Sequence, residues 1–505
     1  MTRLSLFDQI FYSCEQAGLP PLYMGGAMII DARKSPYELN AQVVAAHLAA
    51  RMEQIPLMRK KIVRDPLKIG KLRLIDDPKF DARNHIATSI VPRPGGYKEL
   101  TECLGAYSSQ RMDLSRPPWH YAIIEGLNGG KIAIAMHLHH SVIDGLGAQD
   151  VLSRIYDTKP VKPGKPRRQA WQVEREPVPF ALLSSAWIEN AERVFVKAPR
   201  YIIESSVPLA RLLAANLFER LKPGHKPANV EIALPKVKRT SLNPATSSLE
   251  RVVSYVEFPL GDAYAIRKHF NCSINDLALL LNSCALEHYF RKIHEKVDFD
   301  LVNIMPMNAR NQGEKTVGNV LSIGRVNLHN TIRNLPKRLQ AIVEDTARIK
   351  ARRRSTEGAT VDGRSFVDLF SPLVIDGLCY AMARLNLAGK VLLGNVGITN
   401  VPGSPVPLYL AGAPLVTIVP MAPVLGAGIA LTVTVASTDR HLLLGFHGDG
   451  AAIKDKELFV AGAARAFDKL RVLAGVPRSA TRKLERTSRS ARRGVQHLGS
   501  VRPLS

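Results

Sequence analysis

Apolar and polar positions follow two regimes along this chain. Up to about residue 156, short alternating runs are interleaved with runs of helical spacing. "MGGAMIID" (24–31) reads as a strand behind a Gly-Gly entry. "SPYELNAQVVAAHLAARMEQIP" (35–56) carries apolar residues at helical intervals behind a Ser35-Pro36 start. "WHYAIIEGL" (119–127) and "KIAIAMHLHH" (131–140) read as two strands. The "NGG" between them (128–130) tolerates the positive φ of a tight hairpin. Residues 157–245 break the alternation. Pro-rich stretches such as "KPVKPGKPRRQ" (159–169) mix there with amphipathic ones, "FALLSSAWIENAERVFVKAPRYI" (180–202) and "VPLARLLAANLFERL" (207–221). From 246 onward strands and helices resume. "ALTVTVAS" (430–437) and "HLLLGFHGD" (441–449) pair as a hairpin, and "KELFVAGAARAFDKLRVLAG" (456–475) is a closing helix.

This pattern predicts an α/β chain in two mixed-sheet domains, 1–156 and 246–475. A long, largely helical crossover over 157–245 joins them, and a basic, disordered tail follows at 476–505. The length of 505 residues suits two domains, and 46% hydrophobic with 22% charged residues is ordinary for a globular protein. A net charge of +25 predicts an anionic partner without naming it. No helix-turn-helix, RNA-recognition or zinc-finger pattern is present, so nucleic acid is not the expected partner. The five cysteines (Cys14, Cys103, Cys272, Cys284, Cys379) are far apart and form no CxxC pair. Neither a zinc ribbon nor a disulfide framework is indicated, and a reducing cytosol fits. Asp8 and Glu15 interrupt the apolar N-terminal stretch, so no signal peptide is expected there. No apolar run reaches the roughly 20 residues of a bilayer span. The expected location is cytoplasmic, with peripheral contact at the inner membrane or lipid inclusions as an option.

The chemistry concentrates in "MHLHHSVIDG" (136–145). On strand alternation Ala133, Ala135, His137 and His139 share one face, and Ile132, Ile134, Met136, Leu138 and His140 the other. His139 and His140 then point apart, which argues against a metal pair made from them, and no metal site is expected. Two readings stay open. His140 at the strand end could be a general base, with Asp144 ordering the following loop and Gly145 permitting a tight turn. Alternatively the histidines are a buried cluster satisfied by backbone carbonyls.

"HHSVIDG" resembles the HHxxxDG signature of the CoA-dependent acyltransferase superfamily. Further stretches narrow the resemblance to the bacterial wax ester synthase/acyl-CoA:diacylglycerol acyltransferases. These are "LSLFDQIFYSCE" (4–15), "DDPKFDARNHI" (76–86), "MDLSRPPWHYAIIEGL" (112–127), "TSLNPATSSLERVVSYVEFPL" (240–260), "INDLALLLNSCAL" (274–286), "IMPMNAR" (304–310), "GNVLS" (318–322) and "GITNVPGSPVPLYLAGAPL" (397–415). Departures are Pro117-Pro118-Trp119 where Pro-Leu-Trp is usual, His120 in place of an acid, and "NAR" in place of "SLR".

The resemblance implies two chloramphenicol-acetyltransferase-like domains with the site in a channel between them. It implies transfer of a fatty acyl group from acyl-CoA to diacylglycerol or a long-chain alcohol, with acyl-CoA as co-substrate and no cofactor. His140 would be the base, His139 its support and Asp144 a loop-ordering acid, with Gly145 allowing close packing. Asn275 would shape the site or hold an oxyanion, or else N-cap the helix that follows, with Asp276 beside it. Trp119 would line the acyl channel or belong to the core. The crossover or tail could touch a membrane or lipid droplet. A relative with another acceptor, such as a polyketide hydroxyl or a carrier-bound donor, is the alternative. A basic nucleic-acid or membrane binding protein is the remote one.

Overall fold

The alternating runs of the first half become neighbours in one sheet. The computed structural model describes residues 2–143, 145–164, 174, 177–200, 237–308, 321–356, 367–387, 389–390, 392–426, 428–477 and 502–503. In it the strands Tyr409–Leu410, Ala413–Met421, Tyr23–Asp31, Lys131–His139, Trp119–Leu127, Ile86–Ile90 and Arg502–Pro503 lie side by side in that order. Only Ile86–Ile90 with Trp119–Leu127 is parallel among these pairings. The second sheet runs Leu321–Asn327, Val302–Asn308, Val396–Val401, Leu431–Ser437, His441–Asp449, Arg251–Pro259. Val396–Val401 is parallel to both its neighbours there, and the rest are antiparallel. The fold is α/β, with two mixed sheets and helices packed on them.

One strand crosses between the halves. Ala413–Met421 belongs to the second half in sequence but pairs with Tyr23–Asp31, Val419 opposite Ala27. Its Val419 and Met421 complete an apolar cluster with Ala27, Ile29, Ala133 and Ala135. The "GITNVPGSPVPLYLAGAPL" stretch is the connection that makes this crossing: it starts in Val396–Val401 and ends in the exchanged strand.

The two faces of Lys131–His139 separate as the alternation predicts. Ile132, Ile134 and Leu138 pack with Val44, Leu48 and Met52 of the helix Ala41–Met52. Ala133 and Ala135 face Leu100, Leu104 and Tyr107 of the helix Tyr97–Ser108, and Val253 of the other half joins them. Small residues on that face let the helix lie close, between the two sheets. The hairpin at Asn128 turns through Gly129 and Gly130, both at positive φ (78° and 63°). The helix expected to start at Ser35-Pro36 starts instead at Ala41. Asn40 is the cap, accepting the Val43 N–H at 2.9 Å, and this satisfies an otherwise orphan donor that Ser35 is too far back to reach.

In the crossover, Pro179–Glu192 is a helix that continues through a π-helical turn, Arg193–Lys197. The helical reading over 207–221, Asp144, "GNVLS" up to Val320, and the tail apart from Val476, Pro477 and Arg502–Pro503 lie outside the described residues.

Candidate active site

The site is built at the end of a strand, against the first helix. Lys131–His139 stops one residue short of the expected boundary, so His140 is the first residue beyond it. The turn is closed by Val142 N–H donating to the His139 carbonyl (3.1 Å), and His140 N–H reaches the Leu22 carbonyl (3.3 Å). Because the strand ends there, the two rings do not simply point apart. Both reach the helix Leu6–Gln16, at residues four apart and so on one face: His140 at Phe11, His139 at Glu15.

His139 is sealed from solvent. Ser141 approaches its Nδ1 twice, through Oγ at 2.6 Å and the backbone N–H at 3.1 Å. A backbone N–H can only donate, so Nδ1 is the acceptor and Nε2 carries the proton. That Nε2–H donates to Glu15 Oε2 at 3.0 Å. The other Glu15 oxygen accepts from the Tyr23 hydroxyl at 2.7 Å, which itself accepts the Met112 N–H at 2.9 Å. Burial and the Glu15 carboxylate push the Tyr23 hydroxyl well above its usual pKa, so it stays a donor. Arg111 stands 4.0 Å from Glu15. The chain from Met112 to Ser141 fixes the turn that carries His140. Both ring nitrogens of His139 are thereby used, which leaves it no lone pair for a metal.

His140 is half-buried, with its ring stacked on Phe11 at 4.4 Å between centroids and 14° between planes. The stack sets the imidazole orientation without consuming a nitrogen. Gly145 was expected in a tight loop turn but is the first residue of the helix Gly145–Ile155. The chain after His140 is therefore committed to a helix within five residues, and a residue without a side chain opens it.

His137 plays a different part. It lies buried against Tyr107 (4.3 Å, 24°), with Ser108 Oγ 3.4 Å from Nε2. Burial, then the neighbouring His447 and His120, push its pKa down to about 3. Gly25 faces it across the strand pair, where a Cβ would come within 2.7 Å of the His137 ring and 2.5 Å of the Met136 carbonyl. Gly25 of the strand Tyr23–Asp31 is thus what lets His137 fit.

Trp119 is buried in the first-half core. Its indole N–H donates to the Met58 carbonyl (2.7 Å), and its ring stacks on His85 (4.5 Å). It borders a cavity of about 150 Å³ lined also by Tyr107, Arg111, Arg116, His120 and His137. His120, which stands where the resemblance leads one to expect an acid, is held neutral there, with burial pushing its pKa to about 4.

Asn275 does not cap its helix. Ser273 does, accepting from Asp276 N–H at 3.1 Å, while Asp276 returns to the Ser273 N–H at 2.9 Å, a reciprocal capping box. Asp276 also accepts from Thr346 (2.8 Å) and is buried, which gives it a structural task. Asn275, freed from capping, pairs with Asn400: the Asn400 amide donates to its carbonyl at 2.6 Å. The ND and NVPG stretches are thereby joined, across 125 residues. Among the described contacts, neither asparagine touches His139 or His140.

Glu15, Phe11, Tyr23 and Ser141 were missed in the sequence. Glu15 left a signal, as an acid within an apolar helical run. Its use as a brace for His139 depends on a contact over 124 residues.

The chain matches two family models. One, described as the wax ester synthase/diacylglycerol acyltransferase catalytic domain, covers residues 4–278, and the C-terminal domain of the same family covers 317–471. A probable diacylglycerol O-acyltransferase of Mycobacterium tuberculosis, Tgs4, is 28% identical over 410 residues, 80% of this chain and 83% of that one. Another from that organism, tgs1, is 24% identical over 481 residues, covering 93% and 96%. The wax ester synthase/diacylglycerol acyltransferase from Marinobacter aquaeolei VT8 shares the fold with a TM-score of 0.65 at 20% identity, covering 94% of this chain and all of that one. The first condensation domain of the calcium-dependent antibiotic synthetase shares it at 0.52 and 13%, covering 94% and 96%. The chain belongs to the wax ester synthase/diacylglycerol acyltransferase family.

Proposed function

We propose that this protein transfers a fatty acyl group from acyl-CoA to the hydroxyl of a diacylglycerol or a long-chain alcohol, with His140 as general base. The observation that carries this reading is the placing of His140: half-buried beyond a strand end, oriented by Phe11, on a turn held by the sealed His139–Glu15 pair. The imidazole takes the hydroxyl proton, and the alkoxide oxygen attacks the thioester carbonyl. The tetrahedral oxyanion collapses, CoA thiolate leaves, and the imidazolium returns the proton. No cysteine has to act, and no cofactor enters. Asn275, whose carbonyl is tied to Asn400, keeps its own N–H groups for a substrate oxygen. The test is CoA release from palmitoyl-CoA with hexadecanol, with dioleoylglycerol and with neither. Release that needs one of the two lipid alcohols, with the matching ester formed, is expected. An active enzyme that ignores both would move the reading to another hydroxyl.

The crossover helix supports a peripheral site of action. Leu182, Ala186, Glu189 and Arg193 lie buried on one face, where Glu189 pairs with Arg73 at 2.5 Å. Phe180 (77% exposed), Trp187 (63%), Ile188 (69%) and Phe195 (77%) lie on the other, at i, i+7, i+8 and i+15. Such an apolar stripe on a chain of net charge +25 suits an anionic lipid surface, where the apolar substrates are dissolved. No helix among the described residues is long and apolar enough to cross a membrane. Flotation with phosphatidylglycerol-containing vesicles is expected to recover the wild-type chain and to lose most of a Trp187→Glu/Phe195→Glu variant. Equal recovery of both would remove the helix from the interface.

A further inference from the structure

The helix that braces the two histidines is itself held by a pair of thiols. Cys14 lies one residue before Glu15 and three after Phe11. Its Sγ stands 3.4 Å from Sγ of Cys379, which belongs to the helix Pro372–Arg384 in the second half of the chain. The two residues are 365 positions apart, and both are buried, Cys14 at 8% and Cys379 at 3% exposure. The contact is no isolated touch. Ile375, Ile10, Leu19, Val367 and Phe370 pack around it. Asp376, on the same second-half helix, accepts from Ser13 at 2.5 Å and pairs with Arg64 at 2.6 Å. The two helices are therefore aligned on both sides of the sulfurs, and all five cysteines of the chain are free thiols.

We propose that Cys14 and Cys379 are a reversible oxidation site. A hydroperoxide joins them in a disulfide that clasps the helix Leu6–Gln16 to the helix Pro372–Arg384 and slows acyl transfer. Across the 3.4 Å contact the Cys379 thiol can donate to Cys14 once Cys14 has lost its proton, which lowers the Cys14 pKa and makes it the nucleophile. The Cys14 thiolate attacks the terminal peroxide oxygen. An S–O bond forms, the O–O bond breaks, and the departing alkoxide takes a proton to leave as an alcohol (water, for hydrogen peroxide). Cys379 sulfur then attacks the sulfenic sulfur of Cys14. The S–S bond forms, the S–O bond breaks, and hydroxide leaves with the Cys379 proton as water. Two electrons pass from the two sulfurs to the peroxide, and a dithiol reverses the reaction by exchange.

Closing the gap to an S–S bond of about 2.0 Å brings the sulfurs together by about 1.4 Å. Phe11 and Glu15 ride on the helix that must accommodate this, so the change is felt at His140 and His139. Displacements of about 1 Å at such a distance from the chemistry cost up to about 10²-fold in rate. The slowing rests on the proposed acyl transfer. The disulfide does not.

The test uses the full chain, treated with hydrogen peroxide, alkylated without reductant, digested and analysed by mass spectrometry. A linked Cys14–Cys379 peptide is expected, with Cys103, Cys272 and Cys284 alkylated. Closing a loop of this length should raise Tm by about 5 °C. CoA release should fall several-fold, and dithiothreitol should restore it. A Cys379→Ser variant should keep the reduced-state activity and show neither shift. Alkylation of both cysteines after peroxide treatment would overturn the proposal, and so would a linked peptide with unchanged Tm and turnover. If the protein acylates neither lipid alcohol, the linked peptide and the Tm shift, read without substrate, still decide the disulfide.

Discussion

His140→Ala is expected to lower kcat/KM for acyl transfer by about 10²–10⁴-fold, a loss of about 3–5 kcal/mol of transition-state stabilisation, while the fold survives. The size follows from what the imidazole does. A hydroxyl with no base near it must ionise on its own in the site, and the ring that is removed is the one stacked on Phe11. Proximity of the two substrates would remain, so some transfer above the uncatalysed rate persists. The neighbouring histidine provides the contrast. His139→Ala would leave the Glu15 carboxylate and Ser141 facing a sealed cavity, so its cost appears first in Tm. Steady-state rates for both variants, beside their melting curves, separate the two roles. A His140→Ala enzyme with wild-type rate would rule His140 out.

Acid is expected to unfold this protein above pH 4. Burial is the first cause of the four largest falls in histidine pKa: His47, His120 and His447 fall to about 4 and His137 to about 3. In the unfolded chain each returns to about 6.5. The folded pKa values are depressed, so the unfolded state binds more protons below pH 6.5. The stability these neutral rings represent is fully present above that pH and is lost as pH falls toward 4. Each group removes about 1.4 kcal/mol per pH unit in this window. Together they reach on the order of 10 kcal/mol by pH 4.5, comparable with the whole stability of a domain. Circular dichroism melts from pH 7.5 to 4.5 should show Tm falling steeply below pH 6.5. His137→Phe, which keeps a ring against Tyr107, should flatten that slope by one proton. A Tm unchanged down to pH 4.5 would contradict these shifts.

What could be read from the sequence divides along contact range. The hairpin Trp119–Leu127/Lys131–His139 was legible to within a residue, because alternation and a turn signal are local. So was the split of Ile132 and Ile134 from Ala133 and Ala135. The strand Ala413–Met421 was not read as one, and its place beside Tyr23–Asp31 could not be, because the pairing spans nearly 400 residues and rests on a shared apolar cluster. The site divides in the same way. His140 stood in a short motif. The brace from Glu15 to His139 and the Cys14–Cys379 contact become visible only when the chain returns on itself. Asn275 was expected to cap its helix or to shape the site; Ser273 takes the cap, and the pairing of Asn275 with Asn400 appears only in the fold. The Ser35-Pro36 start failed for a local reason: the side chain of Asn40, five residues on, is the one that accepts the Val43 N–H and caps the helix.

Direct transfer by His140, without an acylated enzyme, is tested most directly by a single turnover of palmitoyl-CoA on excess enzyme, with and without dioleoylglycerol. CoA and ester are expected to appear together, one for one, and only when the acceptor is present. A burst of CoA without acceptor, leaving palmitate bound to the protein, would contradict it.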